Sequence, residues 1–251
     1  MRPFSLSFVA LTWAASLSAP GAEPDTDKDA QAIVRRAIKA HGGAGKLART
    51  RITRETRRGT LLVMGTKGTF TSETLVRMPD QFRDVLTSEV GGRKLQVLQV
   101  FNGTRGWTSE AGVQREVSAA VAGSWKEMAH AAHVAILTPL LAADKGYTLA
   151  TLGQSDVAGR KAIGVKVSVK GRNDVRLYFD RETGLLVKKS FQPDDGKESV
   201  REEVYSNFKE YEGLKRHTRT TVLLGGKPHA EVELVSLRFL ERVDDKEFDK
   251  P

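Results

Sequence analysis

The sequence predicts a mainly β, α+β fold: one long antiparallel meander curled into an unclosed half-barrel, with two helices over its concave face. Three observations predict it. Short segments rich in β-branched and apolar residues recur at even spacing, about a dozen of them. Turn residues separate them, as at Gly91-Gly92, Asn102-Gly103, Asp194-Asp195-Gly196 and Gly225-Gly226. Only two stretches carry helical periodicity, too few for the βαβ alternation of a parallel sheet. A sheet of so many strands has to curl, and the face it encloses has to be filled.

The N-terminus reads as a secretory signal over residues 1–22. Arg2 gives a positive start, Phe4 to Leu17 is mostly apolar, and small residues follow at Ser18, Ala19, Gly21 and Ala22. The run is short for a membrane span. Residues 23–251 read as one domain, since no repeat and no Pro, Gly or Ser-rich linker divides them.

The first helix starts near Thr26, with Asp29 three residues on, and puts Ala30, Ile33, Val34, Ala37 and Ile38 on one face. Gly42-Gly43 stops it. A short helical turn follows at Ala44–Ala48. Strands are then predicted at Thr60–Gly65, Gly68–Val76, Gln81–Glu89, Arg93–Phe101, Arg105–Ser109 and Val113–Val117. In Leu95–Phe101 the alternation fails, which predicts a strand covered on both faces. The second helix starts at a capping box, Ser124-Trp125-Lys126-Glu127, and runs through Met128, Ala132, Ile136 and Leu137. Pro139 kinks or ends it.

The second run of strands is predicted at Thr148–Gly153, Lys161–Lys170, Val175–Asp180, Leu185–Gln192, Ser199–Phe208, Lys215–Leu224 and His229–Arg242. Its clearest element is the hairpin from Val175 to Lys189. Val175, Leu177 and Phe179 alternate on one face. Asp180 can bond the backbone of the turn ahead, and Gly184 can take the positive φ where the chain restarts.

Composition narrows the function classes. Lys and Arg number 40 against 31 Asp and Glu, a formal charge of +9, spread without a run of basic residues. That pattern argues against a nucleic-acid groove, which wants clustered charge and aromatic platforms. It leaves room for transient contact with anionic lipid surfaces. The chain has no cysteine, so it has no N-terminal lipidation site on Cys. His130 and His133 lie three apart on a helix, but no third ligand is nearby, and the pair is read as packing against the sheet rather than as a metal site. Gly153-Gln154-Ser155-Asp156 lacks the second glycine of a nucleophile elbow, and no phosphate loop or dinucleotide fingerprint is present. The reading is therefore not an enzyme, with no catalytic residues, no metal and no cofactor. Trp107 and Trp125 are either packing residues or ligand-lining ones.

Several segments together resemble the LolA/LolB-like periplasmic outer-membrane lipoprotein-sorting family. Arg77-Met78-Pro79-Asp80-Gln81-Phe82 is similar to the family's Arg-x-Pro-x-x-Phe at a strand start. Val100-Phe101-Asn102-Gly103-Thr104-Arg105-Gly106-Trp107 is similar to its strand, turn and Trp. The Val175–Lys189 hairpin and the tail Asp244–Pro251 match in kind. The resemblance implies a half-barrel with helices as a lid, holding acyl chains of lipoproteins or lipids in an apolar cavity of a periplasmic carrier. It implies that Arg77 tethers the lid. Phe82, Val97, Trp107, Trp125, Ile136, Leu137 and Leu140 are the expected lining. The implied partners are an acylated lipoprotein or lipid and membrane-bound donor or acceptor proteins. A second reading is an envelope sensor of the same fold that binds a membrane-protein partner.

Overall fold

A computed structural model describes residues 26–63, 65–142, 145–193 and 199–251. The expected signal segment and the Asp194-Asp195-Gly196 turn lie outside these residues. Thirteen strands form one antiparallel sheet that does not close. They are β1 (Ile52–Val63), β2 (Thr66–Arg77), β3 (Gln81–Val90), β4 (Arg93–Asn102), β5 (Gly106–Glu110), β6 (Val113–Glu116), β7 (Thr148–Val157), β8 (Arg160–Ser168), β9 (Val175–Asp180), β10 (Leu186–Phe191), β11 (Arg201–Tyr211), β12 (Leu214–Leu224) and β13 (Lys227–Phe239).

Two meanders, β1 to β6 and β7 to β13, are joined where β1 pairs with β13, and β6 and β7 are left as the two edges. Helix α1 (Thr26–Ala40) and the single turn α2 (Ala44–Leu47) precede the sheet, and α3 (Ala119–Val134) lies between the edge strands in sequence. The main core lies between α1 and the second meander. Ala30, Val34, Ala37 and Ile38 pack with Val165, Val167, Val175, Leu177 and Phe179, and the apolar face expected of α1 is the buried one.

The turns hold as their residues dictate. Asp180 Oδ1 accepts from the backbone N–H of Glu182 at 3.0 Å and of Thr183 at 2.8 Å, and from the Thr183 hydroxyl at 2.9 Å. Gly184 then takes φ +73°, a region open to glycine at no steric cost. Asn102 repeats the device, accepting from the N–H of Thr104 and Arg105 at 3.1 and 2.9 Å and from the Thr104 hydroxyl at 3.0 Å.

Four expectations are corrected. β1 begins at Ile52, eight residues before the predicted Thr60, because Thr53-Arg54-Glu55-Thr56-Arg57 reads as polar and yet faces inward at Thr53 and Glu55, both buried. Helix α3 is capped by Ser118, whose Oγ accepts from Val121 N–H, not by Ser124. Glu127 does not reach back to Ser124. Its carboxylate accepts from Arg172 at 3.4 Å and from the Asn173 N–H at 3.1 Å. The helix ends at Val134, before Leu137, which takes φ +71°, and Pro139 sits in a separate 3-10 turn, Thr138–Leu141. Finally, β4 is covered only toward its end. Val100 and Phe101 are buried while Leu95 is 41% exposed.

Candidate functional site

Strand register sorts the first meander into two faces. Val76, Phe82 and Phe101 are cross-strand neighbours, and Gly106 continues the row. This is the face under α3. The Phe82 and Phe101 ring centroids lie 5.8 Å apart, and Trp125 of α3 meets them edge-on at 5.3 and 6.2 Å. A Cβ on Gly106 would come within 2.7 Å of the Trp125 ring, so glycine there lets α3 approach the sheet. Val97 shares this face, four residues along β4 from Phe101.

Trp107 does not. It pairs with Val100, one residue out of step with Phe101 and Gly106, so it points to the opposite face. It is buried there, with the Arg105 guanidinium 5.5 Å from its ring.

Arg77 is on that opposite face too. Its Nε donates to Gln81 Oε1 at 2.6 Å, its Nη1 pairs with Asp245, and its guanidinium carbon lies 4.7 Å over the Phe248 ring. In this structure Arg77 ties down the C-terminal turn Asp245–Phe248, whose Phe248 is buried, rather than reaching a helix. Arg83 and Glu247 add a second link at 3.6 Å.

The remaining predicted residues split. Leu137 and Leu140 are buried in the core with α1. Ile136 lines a cavity of about 170 Å³ beneath α3, together with Ala132, Ala135, Val76 and Met78. Leu47 and Leu186 line it as well, but the rest of its wall is polar. Its wall carries Glu55 and Arg57 from β1, Lys189 from β10, Glu203 and Tyr205 from β11, and Arg216 and His217 from β12.

These side chains form a linked band. Glu55 pairs with Arg57 and accepts from Arg216 at 3.3 Å. Glu203 accepts from Lys189 at 3.1 Å, Arg201 at 3.0 Å and the Tyr205 hydroxyl at 2.9 Å. The Tyr205 ring stacks on His217 at 4.0 Å. A second space of about 120 Å³ lies on the far side of the band. Beside it, on β3, Asp84 takes a 2.5 Å bond from the Thr74 hydroxyl.

Burial and charge pull these groups in opposite directions. Burial raises the Glu203 carboxyl, but Lys189 and Arg201 outweigh it and hold the group far below the usual carboxylate range. Glu55 is lowered in the same way by Arg57 and Arg216. Burial lowers the Lys189 ammonium, and Glu203 opposes that. Burial also pushes His217 well down, so its ring is neutral. Asp84, with burial dominant, is raised.

Sequence reasoning missed this band. The signal was present in Lys189, a charge inside the apolar run Leu185–Phe191. A bulge between Leu186 and Lys188 shifts the alternation by one residue, so Lys189 rather than Lys188 joins Leu177 on the inner face.

No protein-family model matches the chain, and no curated protein matches it. Solved structures do. A domain assigned as an outer membrane lipoprotein-sorting protein from Vibrio parahaemolyticus aligns at TM-score 0.54 and 12% identity, over 89% of this chain and 97% of that one. A LolA superfamily protein from Nitrosomonas europaea aligns at 0.55 and 16%, over 88% and 97%. A DUF1329 family protein from Desulfovibrio piger aligns at 0.53 and 12%, over 88% and 97%. The fold is LolA-like, as the sequence motifs implied. Among the described residues no helix is long and apolar enough to cross a membrane, and no three His, Cys, Asp or Glu side chains are placed to hold a metal.

Proposed function

We propose that this protein is an exported, non-enzymatic binding protein of the cell envelope that takes up the acyl chain of a lipid or lipoprotein beneath α3. One observation carries the reading. Helix α3 lies between the two edge strands of an open sheet in the chain, and the helix and the residues just after it lay Ala132, Ala135 and Ile136 over a space on the sheet's inner face. A cover seated on an open sheet can lift without breaking any strand pairing. The solved LolA-like and lipoprotein-sorting structures of the same fold support the reading.

Size sets a condition. A cavity of 170 Å³ matches a space that holds a benzene-sized group, roughly 150 Å³. It is smaller than the roughly 300–1,000 Å³ of ordinary ligand sites. In this reading the structure is the closed state, and uptake of a chain beneath α3 moves α3 and the 3-10 turn after it. Each CH₂ taken from water contributes about 0.8 kcal/mol, so burying a dozen carbons supplies enough to displace Ile136 and Trp125 from their seats.

The test is native mass spectrometry of the protein purified from its own envelope, followed by uptake of a fluorescent fatty acid. Co-purified acylated species and saturable uptake are expected. An apo protein that also ignores the fatty acid would remove the carrier reading.

A further inference from the structure

A further space, of about 470 Å³, opens on the other side of α3 from the cavity under Ile136. Four cations line it: Arg51 from the 3-10 turn before β1, Lys145 after the turn that follows α3, and Lys170 and Arg172 from the β8–β9 loop. Among the described residues, Asp80 is the one carboxylate in the wall. The nearby Glu127 is already engaged by Arg172 and the Asn173 N–H.

Two histidines complete it. His130 is 8% exposed and stacks on Tyr147, ring centroids 6.2 Å apart. His130 Nε2 and His133 Nδ1 are both buried with no hydrogen-bond partner in the protein. A buried polar nitrogen without a partner is uncommon, since it loses its bond to water and gains none. Here the two belong to residues that line one space together with four cations.

From this juxtaposition we propose that the pocket between α3, the Met78–Asp80 turn and Arg172 is a binding site for a phosphate group. The chemistry favours phosphate over a single carboxylate. A phosphate monoester carries about −1.5 to −2 charges near neutral pH and three strong acceptor oxygens. That answers the cations of the wall, of which Arg172 is shared with Glu127, and offers an acceptor to a histidine N–H of the lining once the tautomers adjust. Burial and Arg172 lower His130 to about 4, and burial with Arg51 and Lys145 lowers His133, with Asp80 opposing. Both rings are thus neutral before an anion arrives, and an anion among them would raise both.

The phosphate has two possible sources, a soluble phosphate compound or the head of a lipid. Met78 lines both this pocket and the cavity under α3. A lipid with its chain under α3 would therefore present its head here. The phosphate site itself does not depend on that chain.

The test uses the full mature chain with its histidines isotopically labelled. Inorganic phosphate is titrated at constant ionic strength against chloride, and the imidazole signals are followed by NMR. Saturable shifts at His130 and His133 are expected, with the His130 pKa rising from about 4 by at least one unit. Arg51→Gln with Lys170→Gln, both exposed residues, should weaken binding about tenfold through lost charge-assisted bonds. Arg51→Lys with Lys170→Arg should restore most of it. Unmoved histidine signals, or unchanged affinity in the Gln double variant, would overturn the site.

Glycerol 3-phosphate and lysophosphatidate then separate the sources. Tighter binding of lysophosphatidate with the same histidine response supports a lipid head at this site. Equal binding supports a soluble phosphate compound here and counts against the acyl-chain reading. Lysophosphatidate uptake with silent histidines supports the acyl-chain reading and overturns this one.

Discussion

Lys189 and Glu203 face each other across β10 and β11 with 3.1 Å between ammonium and carboxylate, and Lys189 is only 5% exposed. The pair sits on the inner face of the sheet, where an all-apolar container would place Val or Leu. Burying such a pair gives little net stability over apolar residues of the same shape, but removing one partner leaves a buried charge alone. The energetics of the half-barrel therefore depend on the band remaining whole.

Glu203→Gln should destabilise the protein by about 3–5 kcal/mol, since Lys189 and Arg201 would both lose their counter-charge inside the sheet. Tyr205 would keep an amide oxygen to bond. Chemical denaturation checks it. The midpoint should fall with an unchanged slope, because the surface exposed on unfolding is the same. A loss below 1 kcal/mol would mean that the band is solvated and that its groups are not held as the structure places them.

The same band fixes an acid limit. Glu203 and Glu55 both have folded pKa values below their ordinary 4.5. A depressed carboxylate contributes stability above the unfolded pKa and loses it as pH falls toward the folded one. Stability should therefore decline progressively below about pH 4.5. Asp84 has the opposite sign, since its raised value favours the protonated folded form and softens the decline. In Glu203→Gln the acid slope should be visibly shallower in urea titrations at pH 3 to 5.

His41 is the group to watch at milder pH. It closes α1 onto the sheet. Its Nδ1 lies 2.8 Å from the Lys215 carbonyl and its Nε2 accepts the Leu186 N–H at 3.1 Å. These bonds fix the neutral ring with its proton on Nδ1, because an N–H can donate only to the carbonyl and only a bare nitrogen can accept. Burial lowers its pKa from 6.5, the bond to Lys215 opposes that, and Arg216 and Lys215 lower it further. The unfolded chain takes up a proton first as pH falls, so stability should drop below about pH 6.5, together with the contributions of His130, His133 and His217. His41→Phe should cost about 1–3 kcal/mol at pH 7.5, since it leaves the buried Leu186 N–H and the part-buried Lys215 carbonyl without this partner. It should also flatten the slope between pH 5 and 7, measured by thermal melting.

What could be read from the sequence follows from what repeats. The second meander alternates cleanly, so Val175, Leu177 and Phe179 gave their face, and Asp180 and Gly184 gave their turn. The capping box at Ser124 misled because Glu127 has a tertiary partner in Arg172 that no local pattern shows. The site was read less well than the fold for a related reason. Trp107 and Phe82 both look like lining residues, yet their faces depend on pairing register across β3, β4 and β5, which is a long-range property. Lys189 needed knowledge of a bulge. Charged inward positions such as Glu55 and Glu203 look like solvated ones until the strands around them are placed.

Gly106 tests the seat of α3. A Cβ there would sit 2.7 Å from the Trp125 ring and 2.9 Å from Val117. Overpacking of this kind costs about 1–3 kcal/mol, so Gly106→Ala should unseat Trp125 before it unfolds the sheet. Trp125 and Trp107 are the two tryptophans among the described residues, and Trp107 lies on the far face. The emission of Gly106→Ala should therefore shift to the red with far-UV circular dichroism unchanged. In the acyl-chain reading, its rate of fatty-acid uptake should rise, because the cover starts partly lifted. Unchanged emission would show that α3 has room to give.

The family resemblance implies that Arg77 tethers a lid, whereas its contacts in the structure are to the C-terminal turn. Its contacts to Asp245, Gln81 and Phe248 make it the clasp of the C-terminal turn on the face away from α3. Asp245 is 85% exposed on its side chain, so the ion pair itself is worth less than about 1 kcal/mol. The stacking on Phe248 adds about 0.5–1 kcal/mol. Arg77→Leu should thus leave global stability within about 1–2 kcal/mol of the parent. Its effect should be local: faster amide exchange and proteolysis in residues 240–251, and no change in Trp125 emission. A lid tether predicts the reverse pattern, with the tail protected as before and Trp125 and fatty-acid release altered. Measuring both ends of the molecule in one variant decides between them.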